Sequence, residues 1–200
     1  MLSLFFGNLS SFPSVLIADE GKPLYFLKSY VKYSHQENLI SMVDSVWNLA
    51  GCSPERLKRL VIYEGPGLFT SLRIGYAFAK ALFLKNPYYE LYALNSLDVL
   101  ALLSEKPCYI PCLPAQKGEV FYALYENGTR KSEYKIGKYD ELKNTYSQCF
   151  LENFTDFPDA EALFKAFIKV YNTLKPQDPR TADPFYIRPP DAYMKLRDKR

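Results

Sequence analysis

The run EGPGLFTSLRIG, from Glu64 to Gly75, holds the residues with most to offer to chemistry: Gly65, Pro66, Gly67, Phe69, Thr70, Arg73 and Gly75. Two glycines around a proline make a sharp, rigid turn where no side chain blocks close approach, and Thr70 or Ser71 is placed to cap a helix that starts there. Backbone N–H groups and the positive end of the helix dipole face outward at such a start, which suits an anion or a tight backbone contact. A plain structural turn would use the same residues. Gly75 falls inside the helix, where it costs about 1 kcal/mol against Ala, so close packing is the reason expected for it. Arg73 is the residue of the loop to test for a polar role.

Nucleophilic and metal chemistry find little support elsewhere. His35 is the only histidine and Leu39 stands four places on, so this turn of helix cannot offer two imidazoles to a metal. His35 reads equally as a capping or surface residue. Ser10, Ser71 and the cysteines lack a base, since any triad would have to share that histidine. Cys52, Cys108, Cys112 and Cys149 are too few and too scattered for a disulfide scaffold, and are expected as reduced thiols. Cys108 and Cys112 have metal-like spacing, but they lie in an apolar run with Pro107 and Pro111 and no second pair is near, so buried strand cysteines are expected. The expectation is no catalytic residue and no metal site.

The elements that must position the loop come next. Residues 2–6, Ser14–Ala18 and Leu24–Val31 read as a meander of strands, the last two joined through Asp19-Glu20-Gly21-Lys22. From His35 to Ala50 the apolar residues Leu39, Met42, Val43, Val46 and Leu49 recur at helical spacing, and Gly51 ends the pattern. Ser53-Pro54-Glu55 opens a short helix before a strand at Leu60–Tyr63. The glycine loop then leads into a helix over Thr70–Leu84, a strand at Leu91–Leu94 and a helix over Ser96–Ser104. The order β-β-β-α-β-α-β-α predicts an α/β fold with a mixed sheet and helical crossovers, as in a ribonuclease H-like or actin-like half. Beyond Pro107 the pattern changes to strands at Cys108–Leu113 and Val120–Tyr125, a turn at Glu126-Asn127-Gly128 and a helix over Asp159–Tyr171. Two units are expected, an N-terminal lobe over 1–104 and a smaller α/β half with a proline-rich tail over 105–200.

Composition limits the partners. With 25 basic and 22 acidic residues the net charge is +3, short of the excess expected of a chain that grips nucleic acid by its own phosphate contacts. Lys195, Arg197, Lys199 and Arg200 are the basic run of the tail, read as a solvated terminus with direct tRNA contact as the alternative. Aromatic residues make up 16%, with 17 Tyr and 14 Phe, which serves a core or a protein-binding face. No apolar run reaches the roughly 20 residues that cross a bilayer and no signal peptide is evident, so the chain is expected in the cytoplasm, away from membranes.

Taken with its neighbours, the loop resembles a known family. GPGLFTSLRIG followed by YAFAKAL is similar to the signature GPGSFTGLRIG-x-x-x-AK-x-L of the TsaB family, small paralogues of the TsaD carbamoyltransferase. Tyr33 to Ile40 resembles the family's HSE-x-L-L helix opening, Gln116 to Tyr125 its R-x-x-E-V-Y-x-A-L-Y strand, and Tyr186 to Ala192 its Y-x-R-P-P-D-A ending. The resemblance implies a two-lobed, actin-like ATPase fold and a non-catalytic scaffold role. That role is pairing with TsaD-like and TsaE-like subunits in threonylcarbamoylation of the adenosine next to the anticodon. It further implies a homodimer when alone, tRNA met only through the complex, no cofactor required by this chain, and ATP and magnesium at the level of the complex. Docking is expected through the two long helices, using Ile40, Val43, Trp47, Ile74, Phe78, Leu82 and Phe83.

Departures from the family sharpen the reading. Gly7-Asn8-Leu9 stands where relatives have D-T-S, and Pro114-Ala115-Gln116 where they have D-A-R, so acidic ligands for metal and phosphate are missing. Leu68 and Ser71 replace a serine and a glycine of the signature. The alternative, a small nucleotide-dependent kinase or ATPase using Gly65–Thr70 as a phosphate loop, needs those acids.

Overall fold

The computed structural model describes residues 1–32 and 35–188, and for residues 35–37 the backbone alone. The first sheet has the order β3-β2-β1-β4-β5, built from β1 (Ser3–Gly7), β2 (Ser14–Asp19), β3 (Lys22–Lys28), β4 (Arg59–Gly65) and β5 (Glu90–Asn95). β1 to β3 are antiparallel neighbours, as two-residue and short loops permit, whereas β4 and β5 run parallel to β1 and are reached through helices. The helices are α1 (His35–Leu49), α2 (Phe69–Lys85) and α3 (Ser96–Leu103).

Alternation along the central strands divides the core. Leu4, Phe6, Val15, Ile17, Leu60 and Ile62 face α1 and α2, while Phe5, Leu16, Val61 and Tyr63 face the other side. That second face is covered by α5 (Ala160–Val170), whose Phe164 and Phe167 meet Phe5 edge-on at 5.2 and 5.4 Å. Asp159 caps α5, its carboxylate accepting from the N–H groups of Glu161 and Ala162. The 104/105 boundary falls between α3 and β6 (Cys108–Pro114), and the core that includes Phe5 and Tyr92 runs across it to Tyr109, Leu113 and Tyr125.

The second sheet centres on β6. Its antiparallel neighbours are β7 (Glu119–Tyr122) and β8 (Tyr125–Glu126), which pair with β10 (Lys135–Lys138) and β9 (Thr129–Arg130) respectively. β11 (Phe150–Asn153), reached through α4 (Tyr139–Thr145), lies parallel to β6. The single strand expected over Val120–Tyr125 is thus two strands, and the turn at Glu126-Asn127-Gly128 closes the hairpin of β8 with β9, with Asn127 and Gly128 at φ 48° and 74°. β3 ends at Lys28, short of Val31, and α2 begins at Phe69 with Leu68 at its cap.

Two expectations are corrected here. Neither Thr70 nor Ser71 caps α2: both lie within the helix, which has no side-chain cap. The cysteines are not all thiols, because Cys108 and Cys149 form a disulfide. The pairing of Phe150 with Tyr109 brings together residues 41 positions apart, a contact invisible until β11 is known to lie beside β6. Cys112 is a buried strand thiol, as expected, and burial pushes it up to about 12, which keeps it protonated and inert. Cys52 is a free, half-buried thiol.

The disulfide predicts a thiol count. In denaturant without reductant, alkylation should label Cys52 and Cys112 alone, with Cys108 and Cys149 labelled only after reduction. Opening this loop should lower stability by up to about 4 kcal/mol in a urea titration.

Candidate functional site

The glycine loop sits at the carboxyl end of β4, where open α/β sheets place their ligand crevices. Around it lies a cleft of about 230 Å³ between the two sheets. Its walls are Gly67, Leu68 and Phe69 from the loop, Ser11 from the β1–β2 turn, Pro114-Ala115-Gln116 from the end of β6, and Phe185 to Arg188 from the C-terminal segment. Four stretches far apart in sequence therefore converge here.

Close backbone approach explains the glycines. Phe185 donates its N–H to the carbonyl of Glu64 at 2.8 Å, and a Cβ on Gly65, at φ +129°, would come within 2.4 Å of the Phe185 carbonyl oxygen. A Cβ on Gly75 would meet Asn8 Nδ2 at 2.7 Å. Asn8 is fully buried: its Oδ1 accepts from the Tyr63 N–H at 3.2 Å and its Nδ2 donates to the Ser71 carbonyl at 3.3 Å. Asn8, next to the Gly7 position where a carboxylate was looked for, is thus a neutral clamp joining the first turn, β4 and α2.

Among the described residues the one carboxylate lining the cleft is Asp156, which the sequence did not single out. It accepts from Ser10 Oγ at 3.0 Å, from the N–H and Oγ of Ser11 at 2.8 and 3.0 Å, and from the Phe157 N–H at 2.8 Å. Its lone pairs are spent on holding the turn. No local signal marked it, because its partners lie about 145 positions away.

Arg73 turns its guanidinium over the Phe69 ring at 3.8 Å, and Phe69 stacks at a tilt on Tyr186 at 5.0 Å. Arg188 pairs with Glu119 at 3.2 Å, so the strand and the C-terminal motif are tied across the cleft mouth. Pro66 accepts a bond from Ser96 Oγ at 2.7 Å, and Thr70 is exposed on the first turn of α2. Glu64 is half-buried outside the cleft lining. Burial, then the charge of Asp98, raise its carboxyl to about 7.

The residues expected on a docking face divide. Val43, Trp47 and Leu82 are buried in the monomer core against the first sheet, because the turns of α1 and α2 that carry them face β1, β2 and β4. Ile40 is 53% exposed, while Ile74, Phe78 and Phe83 are half-buried at the rim of that core. His35 opens α1, with its side chain outside the described residues, as are Tyr33 and Ser34, the motif's last residues and the basic tail. Among the described residues no group of three or more His, Cys, Asp or Glu is arranged to hold a metal ion. No described helix is long and apolar enough to cross a membrane.

Comparison with known proteins follows this geometry. A family model described as "TsaD: tRNA N6-adenosine threonylcarbamoyltransferase" matches residues 29–149. The tRNA threonylcarbamoyladenosine biosynthesis protein TsaB of Bacillus subtilis is 31% identical over 100 residues, which are 49% of this chain and 43% of that protein. The match thus spans less than half of that relative. An uncharacterized protein of Mycoplasma genitalium is 32% identical over 136 residues, 67% of each chain. Among solved structures, an uncharacterized Pseudomonas aeruginosa protein with similarity to the peptidase YeaZ superposes with a TM-score of 0.77 at 18% identity, covering 94% of this chain and 99% of that one. YeaZ from the same organism gives 0.74 at 17% identity, covering 93% and 99%. The fold is the α/β, actin-like ATPase fold.

The clamp and the buried acid each make a prediction. Asn8→Ala should cost about 3 kcal/mol in chemical denaturation, since it strands the Tyr63 N–H in the core, and Gly75→Ala should cost a comparable amount by displacing the same amide. Glu64 has a folded pKa raised above its unfolded value of 4.5 to about 7. Its contribution is therefore full below pH 4.5 and lost as pH rises through 7. Native stability should fall across that window by at most about 3 kcal/mol, and Glu64→Gln should flatten the fall.

Proposed function

We propose that this chain is a non-catalytic, partner-holding subunit, and the premise is its family: it belongs to the TsaB family of the tRNA threonylcarbamoyladenosine biosynthesis proteins. The observation that carries the reading is the use made of the polar groups in and beside the cleft. Asp156 in its wall and Asn8 behind the loop are both consumed in holding the first turn, and Arg73 lies on Phe69, so among the described residues none of the three is left to activate a nucleophile or hold a phosphate-bound metal.

What remains for function is surface. The outer side of α2 carries Thr70, Arg73, Ala77, Ala81 and Leu84, all exposed, with Leu84 at 87%. Steps of three and four place them on one face, and its small residues let a second helix approach closely. Ile40 on α1, with the outward parts of Ile74 and Phe78, extends the apolar area. We assign this face to a TsaD-like subunit and, when that partner is absent, to a second copy. A TsaE-like ATPase joins the assembly, ATP and magnesium enter with the complex, and tRNA is met through it.

Ala77→Glu and Leu84→Glu alter exposed positions, so the fold should persist while co-purification with the TsaD-like subunit and self-association weaken about tenfold or more. Unchanged pull-down by both variants would sink the docking face. Calorimetry of the isolated chain with ATP and magnesium should show no micromolar binding; turnover there would restore the kinase or ATPase alternative.

A further inference from the structure

A second pocket, of about 360 Å³, opens where β4 and β5 end, and shares no residue with the cleft. Glu64, Asn95, Asp98, Leu102, Tyr125 and Arg130 are the lining residues that matter to it. Asp98 accepts the hydroxyls of Tyr125 at 2.5 Å and Tyr134 at 2.7 Å, which fixes its orientation. Glu64 has no hydroxyl donor among the described residues, and the one side-chain donor acting on it is the Asn95 amide, without a full hydrogen bond.

Asn95 supplies the independent sign of a missing partner. It is 97% buried, being 3% exposed, and its Oδ1 caps α3 by accepting the Leu97 N–H at 3.0 Å. Its Nδ2 is buried and makes no hydrogen bond, although the amide lies near enough to Glu64 to offset part of the rise in that carboxyl. The Tyr76 hydroxyl, within electrostatic reach of Glu64 from α2, is also buried without a partner. A buried donor without an acceptor loses its hydration with nothing in return, and a desolvated carboxyl gains from a positive neighbour.

One type of ligand meets both needs: a positive N–H donor for the two carboxylates, with an oxygen close by to accept from Asn95. We propose that this pocket binds a small primary ammonium compound carrying a neighbouring hydroxyl or carbonyl oxygen. The volume lies at the small end of pockets that enclose organic ligands, roughly 300–1,000 Å³, and Leu94, Leu102 and Leu174 give its carbon skeleton an apolar wall. Two adjacent carboxylates disfavour an anion. Arg130, held over the Tyr134 ring at 4.1 Å and donating to the Ser132 carbonyl at 2.9 Å, stands at the rim rather than against Glu64.

The charged and titratable groups around Glu64 are Asp98 from α3, Tyr76 from α2, and Tyr134 and Arg130 grouped about Asp98. Asp183 and Tyr186 act on Tyr76 from the C-terminal segment. An ammonium ion prefers ionised Glu64, so affinity should rise with pH through about 7.

The test titrates the full chain with ethanolamine at pH 6 and pH 8 and follows backbone and Asn side-chain amides by nitrogen-15 NMR. Expected is a saturable shift centred on the Asn95 side-chain amide, several-fold tighter at pH 8, with no shift from ethylene glycol, the uncharged control. Glu64→Gln should weaken binding about tenfold, the loss of one charge-assisted bond, and Leu102→Trp should abolish it by filling the pocket. Dispersed spectra identify variants that remain folded, and Leu102→Trp decides if Glu64→Gln does not. Absence of a saturable shift at pH 8, an equal response to ethylene glycol, or unchanged binding by a folded variant overturns the proposal.

Discussion

The buried amide of Asn8 is the contact on which the functional end of the molecule depends. Bonded to the Tyr63 N–H and the Ser71 carbonyl, it ties the turn after β1 to the end of β4 and the start of α2. A buried amide must satisfy its donors and its acceptor, so this side chain can occupy one position only. Gly75 leaves the room for it. Asn8 brings rigidity and no charge, so a polar side chain beside Gly7, where the motif has its carboxylate, serves architecture rather than chemistry.

The same conversion recurs around the cleft. Asp156 has the chemical character of a ligand, yet four donors from Ser10, Ser11 and Phe157 hold it in the role of a staple. Arg188 and Glu119 neutralise one another across the mouth, and Phe69 is held between Arg73 and Tyr186. The C-terminal segment shares in this frame: it crosses Glu64 and Gly65 with a backbone bond and pairs Gln177 with Leu91. Residues that resemble motif positions of the family are thus joined to one another directly, which gives their combination a mechanical reason.

Polar groups at the ends of β4 and β5 follow a different pattern. Glu64, Asn95 and Tyr76 are buried or half-buried without a full set of partners, beside an Asp98 that is fully oriented. Orphaned groups cost stability wherever they occur in a core. Their grouping around one pocket separates it from the satisfied cleft a few residues away.

Much of the first lobe was legible in the chain itself. The strands of the meander, α1, the glycine loop, α2, β5 and α3 follow from apolar periodicity and turn residues, which are local properties. Gly75 was understood as a packing glycine from its cost in a helix. The second half was less legible: β9, β10, α4 and β11 are short and polar, and only pairing to β6 and β7 makes them regular. The Cys108–Cys149 bond and the Asp156 staple went unseen for the same reason. The outward or inward facing of Ile40, Val43, Trp47 and Leu82 also needed the sheet, since an apolar residue on a helix reads alike whether it meets the core or a partner. By itself the sequence determined the order of elements, the loop and the family it resembles, because these rest on neighbouring residues. Tertiary structure alone decided which polar groups are spent and which are left over, because hydrogen bonds between distant segments exist only once burial has brought them together.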